Sequence, residues 1–191
     1  MASDPIAAVY ALLAAWNDRD IGRFVTMLAP DVEWYDLGML HPPARGRDAV
    51  QQFAHAVLAA FPDFQYAVEP PLCTAPDGSR CVVAWRITAT HTGVLTPPGL
   101  APTGRRAAFS GVDVIDFRGE EICRIRTLFD VIAAAEQLTG LTLRPPADSA
   151  RERLFVSLQR LVAFFTKRRS RRTVGRRAVD SRRSPRQRLG G

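Results

Sequence analysis

The sequence predicts an α+β fold: N-terminal helices packed on a cone-shaped, curved antiparallel sheet, followed by a basic C-terminal extension. Three observations predict it. Apolar residues recur about every 3.6 positions as far as Pro62, and every second position from there to Phe129. Helix-type segments precede strand-type segments without βαβ alternation, the order of an α+β plan. Charge then divides the chain of 191 residues: residues 1–150 carry 12 Arg, no Lys and 17 acids, a net −5, whereas residues 151–191 carry 14 Lys or Arg and 2 acids, a net +12. The overall charge of +7 therefore reflects the extension, not the domain.

The elements follow in order. Ser3 or Asp4 before Pro5 is a helix start, with proline at the first helical position. Ile6, Val9, Leu13 and Trp16 give this helix its apolar face, and Asn17 to Asp20 break it. Ile21, Phe24, Val25 and Leu28 form a short second helix that stops before Pro30. Val32–Tyr35 reads as a short strand and His41-Pro42-Pro43 as loop. Asp48 caps a third helix with the face Val50, Phe53, Ala54, Val57, Leu58 and Phe61, ended by Pro62. Strands follow at Phe64–Val68, Cys81–His91, Phe109–Phe117 and Ile122–Phe129, and Gly119 supports a hairpin between the last two. Residues 93–106 are a long Pro/Gly loop, and long loops in compact domains are often functional. A short helix over Val131–Leu138 ends at Gly140, and Arg144-Pro145-Pro146 closes a domain of residues 1–146. A curved sheet around a long helix encloses an apolar pocket.

Composition excludes several classes. An apolar fraction of 47% and a charged fraction of 24% fit a globular protein and exclude global disorder, collagen-like repeats and a membrane bundle. Cys73, Cys81 and Cys123 are an odd number without metal spacing, which points to reduced thiols and a cytoplasmic location. The first residues have an acid before their apolar run and no basic segment, unlike a signal peptide. No Walker loop, GxGxxG, GxSxG or CxxC pair is present, which argues against nucleotide binding, serine hydrolysis and thiol redox chemistry. His41, His55 and His91 have no ligand spacing, so no metal is expected.

Four polar residues fall where chemistry or mere structure could place them. Asp113 shares a strand face with Phe109, Gly111, Ile115 and Phe117; a carboxylate there has a partner, a raised pKa, or an outward edge position. Asp36 follows Val32–Tyr35 as a site acid or a turn residue. His91 ends the inward row Cys81, Val83, Trp85, Ile87 and Ala89 beside the long loop. Thr127 stands between Ile125 and Phe129, where a β-branched strand residue is also ordinary. Trp34, Phe53 and Trp85 are expected in the core or the pocket wall.

Together the segments AAWNDRDIGRFVTMLAPDVEWYD, GRDAVQQFAHAVLAAFPDFQ, ATHTGVLTPPGLAPTGRRAAFSGVDVIDF and EEICRIRTLFD resemble the SnoaL-like polyketide cyclases over about residues 5–140. That family belongs to the nuclear-transport-factor-2-like superfamily, with ketosteroid isomerase and limonene-epoxide hydrolase. The resemblance implies an enzyme without cofactor that runs acid/base chemistry on a small hydrophobic carbonyl compound, by aldol ring closure or a double-bond shift. It also implies a homodimer, and the same cone could instead serve as a non-catalytic module for binding a hydrophobic ligand or for dimerisation. His91 falls on the family's THxG histidine. Asp113 falls where the cyclases carry a His or Asp beside the substrate and where the isomerase carries its protonated oxyanion-hole Asp, an established example of a neutral buried acid. Asp36 falls near the isomerase's general base. Thr127 falls where the aldol-type cyclases and the epoxide hydrolase carry their catalytic Asp, and Tyr10 lies near the isomerase's oxyanion Tyr. Asp36, Asp113 and His91 are thus the expected catalytic residues, with Trp34, Phe53, Trp85, Thr127 and Tyr10 around the substrate.

The extension has no counterpart in that family. Leu154, Phe155, Leu158, Leu161, Val162 and Phe165 share one face of a helix over residues 149–166, and the Arg-rich remainder reads as disordered. It suits an anionic membrane surface or nucleic-acid phosphates, or is a solvated extension.

Overall fold

The computed structural model of the chain describes residues 4–36, 42–96, 99–144, 147–150, 152–161 and 163–164. Contacts divide it into two compact units, Met1–Leu143 and Arg144–Gly191. His41 and the segment read as disordered, from residue 167 on, lie outside the described residues.

Helix α1 (Pro5–Asn17) starts as its sequence dictates: Asp4 is the N-cap, accepting from the Ile6 N–H at 2.9 Å, and Pro5 takes the first helical position. Its buried face is Val9, Leu12, Leu13, Ala15 and Trp16. α2 (Ile21–Thr26) is capped by Asp20, which accepts from the Arg23 N–H. Leu28 belongs not to this helix but to β1 (Leu28–Asp36), which is longer than the predicted strand and runs through Pro30. It can do so because Pro30 falls where the register with β6 breaks, so its missing N–H costs no ladder bond. β2 (Ala44–Arg45) pairs with β1. α3 (Arg47–Ala60) begins one residue before Asp48: Gly46, with φ 81°, is the N-cap, and Asp48 stands in the first turn, where the helix dipole favours an acid.

β3 (Gln65–Thr74), β4 (Arg80–Thr90), β5 (Arg106–Arg118) and β6 (Glu121–Phe129) form the predicted antiparallel meander, longer at most ends. β3 outruns its predicted end at Val68 because Pro70 and Pro71 sit in a register break on the sheet edge. The order is β2-β1-β6-β5-β4-β3. β1 lies parallel to β6, so the sheet is mixed rather than wholly antiparallel. α4 (Val131–Thr139) is capped by Asp130 and ends at Gly140 in the left-handed conformation that glycine adopts without strain.

The core lies between the inward face of the sheet and α1, α2 and α3. Trp16 anchors it, with ring centroids 5.4 Å from Phe24, 5.7 Å from Trp34 and 5.6 Å from Phe64. Aromatic contacts at these separations add to the burial of the rings themselves.

Candidate active site

Strand register assembles the site. Asp36 of β1 pairs with Thr127 of β6, Thr127 with Asp113 of β5, and Asp113 with Val83 of β4. Asp36, Thr127 and Asp113 therefore form one row across three strands. All three are buried, and they flank one hydroxyl with two carboxyls. Two strand spacings separate the carboxyl-bearing backbones by roughly 10 Å. Trp34, two residues before Asp36 on the same face, donates its indole N–H to Thr127 Oγ1 at 3.0 Å.

The acid at 113 is electrostatically unusual. Its carboxyl is pushed up to about 7, first by burial and further by the negative charge of Asp36; the Thr127 hydroxyl and the Trp85 indole N–H work in the opposite direction. Neither Trp85 Nε1 nor Asp113 Oδ1 has a hydrogen-bond partner of its own. Trp85 lies beside this acid only because residue 111 is glycine: a Cβ there would stand 2.5 Å from Trp85 Cη2 and 2.6 Å from the Leu128 carbonyl oxygen. Among the described residues no cation contributes to the Asp113 shift.

Tyr66 is the site residue that sequence reasoning missed. Its phenol is held well above its usual range by burial first, then by the charges of Asp113 and Asp36, so it stays a proton donor at every working pH. Asn17 fixes it in place: its side chain accepts from the Tyr66 N–H at 2.8 Å and donates to the Tyr66 carbonyl at 2.9 Å. The available signal was period-2 spacing with Phe64, which turns Tyr66 inward with a polar tip.

Asp36 and Thr127 of the row line a cleft. A cavity of about 40 Å³ is lined by Asp36, Thr127, Trp34, Tyr66 and Phe53, among others. It shares Val57, Phe64, Phe109 and Phe129 with an adjoining apolar cavity of about 110 Å³ that extends to Phe61, Leu95 and Leu138. Phe109 and Phe129 stack at 5.2 Å to form part of the common wall. Asp113 lies beneath, against a gap of about 10 Å³ beside Leu12, Trp34 and Tyr66. Trp34, Phe53, Trp85 and Thr127 line this one cavity.

Two expected residues stand elsewhere. Tyr10 is 43% exposed and lines none of these cavities, because it is one residue past Val9 and so about 100° round α1 from the buried face. His91 is buried, but it lies eight positions along β4 from the Val83–Asp113 pair, roughly 25 Å in an extended strand. Its ring stacks on Phe61 at 5.1 Å, and Nδ1 lies 3.5 Å from Thr103 Oγ1. Thr103 in turn donates to the Leu138 carbonyl of α4 at 2.6 Å. His91 therefore ties the 99–105 loop to the far end of the cleft and does not meet the carboxyls. Among the described residues no cluster of three His, Cys, Asp or Glu could hold a metal ion.

Residues 6–138 match the family of SnoaL-like polyketide cyclases. This chain belongs to that family. A comparison with the curated proteins finds no match. Among solved structures, the SnoaL-like chain resembles AclR from Streptomyces galilaeus, regarded as a hydroxylase, at 21% identity and a TM-score of 0.61, covering 88% of this chain and 98% of that one. It also resembles IdmH from Streptomyces antibioticus, regarded as a polyketide cyclase, at 21% identity and a TM-score of 0.59, covering 72% of this chain and 99% of that one. A protein from Jannaschia, regarded as a SnoaL-like polyketide cyclase, has 16% identity and a TM-score of 0.63, covering 74% of this chain and 94% of that one. At these identities the likeness speaks for the nuclear-transport-factor-2-like fold alone.

Proposed function

We propose that this SnoaL-like protein is a cofactor-independent acid/base enzyme acting on a hydrophobic carbonyl compound, by aldol-type ring closure or a double-bond shift. The observation that carries this reading is the row Asp36–Thr127–Asp113 at an apolar cleft, with two carboxyls of different surroundings on either side of one hydroxyl. Asp36 lines the cavity and serves as the base that removes a proton α to the carbonyl. Asp113, poised near neutrality, is the acid: when protonated it donates to Thr127 Oγ1, and the Thr127 proton turns toward the developing enolate oxygen. Tyr66 supplies a second O–H donor beside the same row. In ring closure the enolate carbon attacks a second carbonyl and the resulting alkoxide takes the proton. Thr127 does not replace the family's Asp as a base; it relays. A homodimer is part of this proposal by analogy with the family.

The same cleft favours a second reading, a hydrophobic-ligand-binding module, since Thr127 stands where related cyclases place a carboxylate. A screen of polyketide and steroid ketones separates the two. Asp36→Asn is expected to lower kcat by about 10²–10⁴-fold while affinity by calorimetry stays close to wild type. Asp113→Asn, which keeps shape and a donor, is expected to be milder than Asp113→Leu. Ligands that bind without any turnover would end the enzyme reading in favour of the binding module, and full turnover by Asp36→Asn would remove Asp36 as the base.

A further inference from the structure

Outside the family domain, residues 150, 152–161 and 163–164 are helical. The start of this helix is locally encoded: Ser149 Oγ accepts from the Glu152 N–H at 3.1 Å, while the Glu152 carboxylate accepts from the Asp148 N–H at 2.6 Å. Leu154, Phe155, Leu158 and Leu161 fall within an arc of about 120° at helical spacing. They are 52–69% exposed, a density of large bare apolar groups that marks an interaction surface rather than ordinary surface scatter. Arg153 and Arg160 lie on the opposite side. The sequence beyond continues the charge: residues 165–191 hold 11 Lys or Arg against one acid.

Three occupants compete for such a face. A second copy of the helix would cover the apolar stripe but would leave the arginines on the opposite side, and the 11 Lys or Arg beyond, without a counter-charge. Nucleic acid would satisfy the arginines but has nothing to cover the leucine stripe, and no aromatic residue follows Phe165 to stack on bases. A bilayer with anionic headgroups satisfies both halves at once, and stable attachment of this kind needs two such signals together. Ten residues span about 15 Å, far short of a bilayer core of about 30 Å. Among the described residues no helix is long and apolar enough to cross a membrane, so the helix would lie along the surface.

We propose that the 152–161 helix binds the surface of an anionic phospholipid bilayer, with the Leu154–Phe155–Leu158–Leu161 stripe among the acyl chains and the arginines at the headgroups. The placement is chemically apt for a domain with an apolar cleft, since a hydrophobic ligand partitions into the same membrane. The test is co-sedimentation of the full chain with vesicles of phosphatidylcholine plus phosphatidylglycerol, beside vesicles of phosphatidylcholine alone. Binding to the mixed vesicles, weakened by salt and near background on the neutral ones, is expected. Leu158→Glu with Leu161→Glu should lower the partition coefficient by about tenfold or more. Leu158→Ala with Leu161→Ala, which keeps good helix formers, should lower it less, with helix content by circular dichroism preserved. Four results would each overturn the proposal: no binding to the mixed vesicles; binding that both leucine variants leave unchanged; a dimer dissolved by those variants with no vesicle binding; or duplex DNA that displaces the vesicles and binds the variants as tightly as wild type.

Discussion

Asp113 and Asp116 stand three residues apart on β5 and meet opposite environments, because an odd separation turns them to opposite faces of the sheet. Asp116 faces outward among arginines: Arg80 Nε lies at 2.5 Å, Arg126 Nη2 at 3.2 Å and Arg124 Nη1 at 4.0 Å. Glu33 extends this cluster, binding Arg124 at 3.3 Å and Arg45 at 3.4 Å. Asp113 faces inward, toward a hydroxyl, an indole and a phenol, with another acid, Asp36, as its charged neighbour. The difference teaches how one residue type divides its labour. On the outer face, charge compensation makes the acid part of the scaffold. On the inner face, burial without a cation leaves the acid near its titration point, where proton transfer in either direction is cheapest.

The sharpest test of that contrast is the pH dependence of stability. The folded carboxyl of Asp113 titrates near 7 and the unfolded one near 3.9, so between these values the folded state holds a proton that the unfolded state has released. Stability from this group is therefore full below about pH 4 and falls as pH rises to about 7, by about 4 kcal/mol in total. Asp113→Asn lacks this slope. Urea denaturation of both proteins at about pH 4 and pH 8 should show the variant gaining on wild type by that amount, and an unchanged difference would mean that Asp113 is not the uncompensated inner acid described here.

A smaller effect is expected from Gly111→Ala, which drives a methyl group into Trp85 and the Leu128 carbonyl. Overpacking of this kind costs about 1–3 kcal/mol. Because the displaced ring borders Asp113, carboxyl NMR should show the Asp113 titration move with it. If the titration stays in place, Trp85 contributes nothing to the inner environment.

Asp116→Asn should have the smallest effect, a loss of about 1 kcal/mol or less that shrinks at high salt, since its partners are partly exposed. Thermal unfolding of Asp116→Asn and wild type at low and high salt checks this, and a loss that salt leaves unchanged would mean that the outer cluster does not act through its charges.

Much of this architecture was legible from local pattern. Asp4-Pro5 and Gly140 mark helix ends through backbone chemistry that needs no tertiary partner. Alternation alone put Asp113 on the same face as Ile115 and Phe117, and burial of that face follows from the apolar residues themselves. The errors have physical causes of their own. Tyr10 is near the isomerase's oxyanion Tyr in the family resemblance, yet the helical period carries it to the outside of α1. His91 was inward as expected, yet period 2 says nothing of distance along a strand, and eight positions set it at the other end of the cleft.

The sequence by itself determined the α+β plan, the cap and turn positions, the inward face of each long strand and the charge division near residue 150, because periodicity, capping and net charge are properties of neighbouring residues. Only the tertiary structure decided that β1 runs parallel to β6, that Asp36, Thr127 and Asp113 share one row, and that Tyr66 faces both acids. Those facts depend on register between strands distant in sequence. A shift of one residue in that pairing would turn the whole row to the other face, so the register is chosen by the packing of the entire core and cannot be read from any one segment.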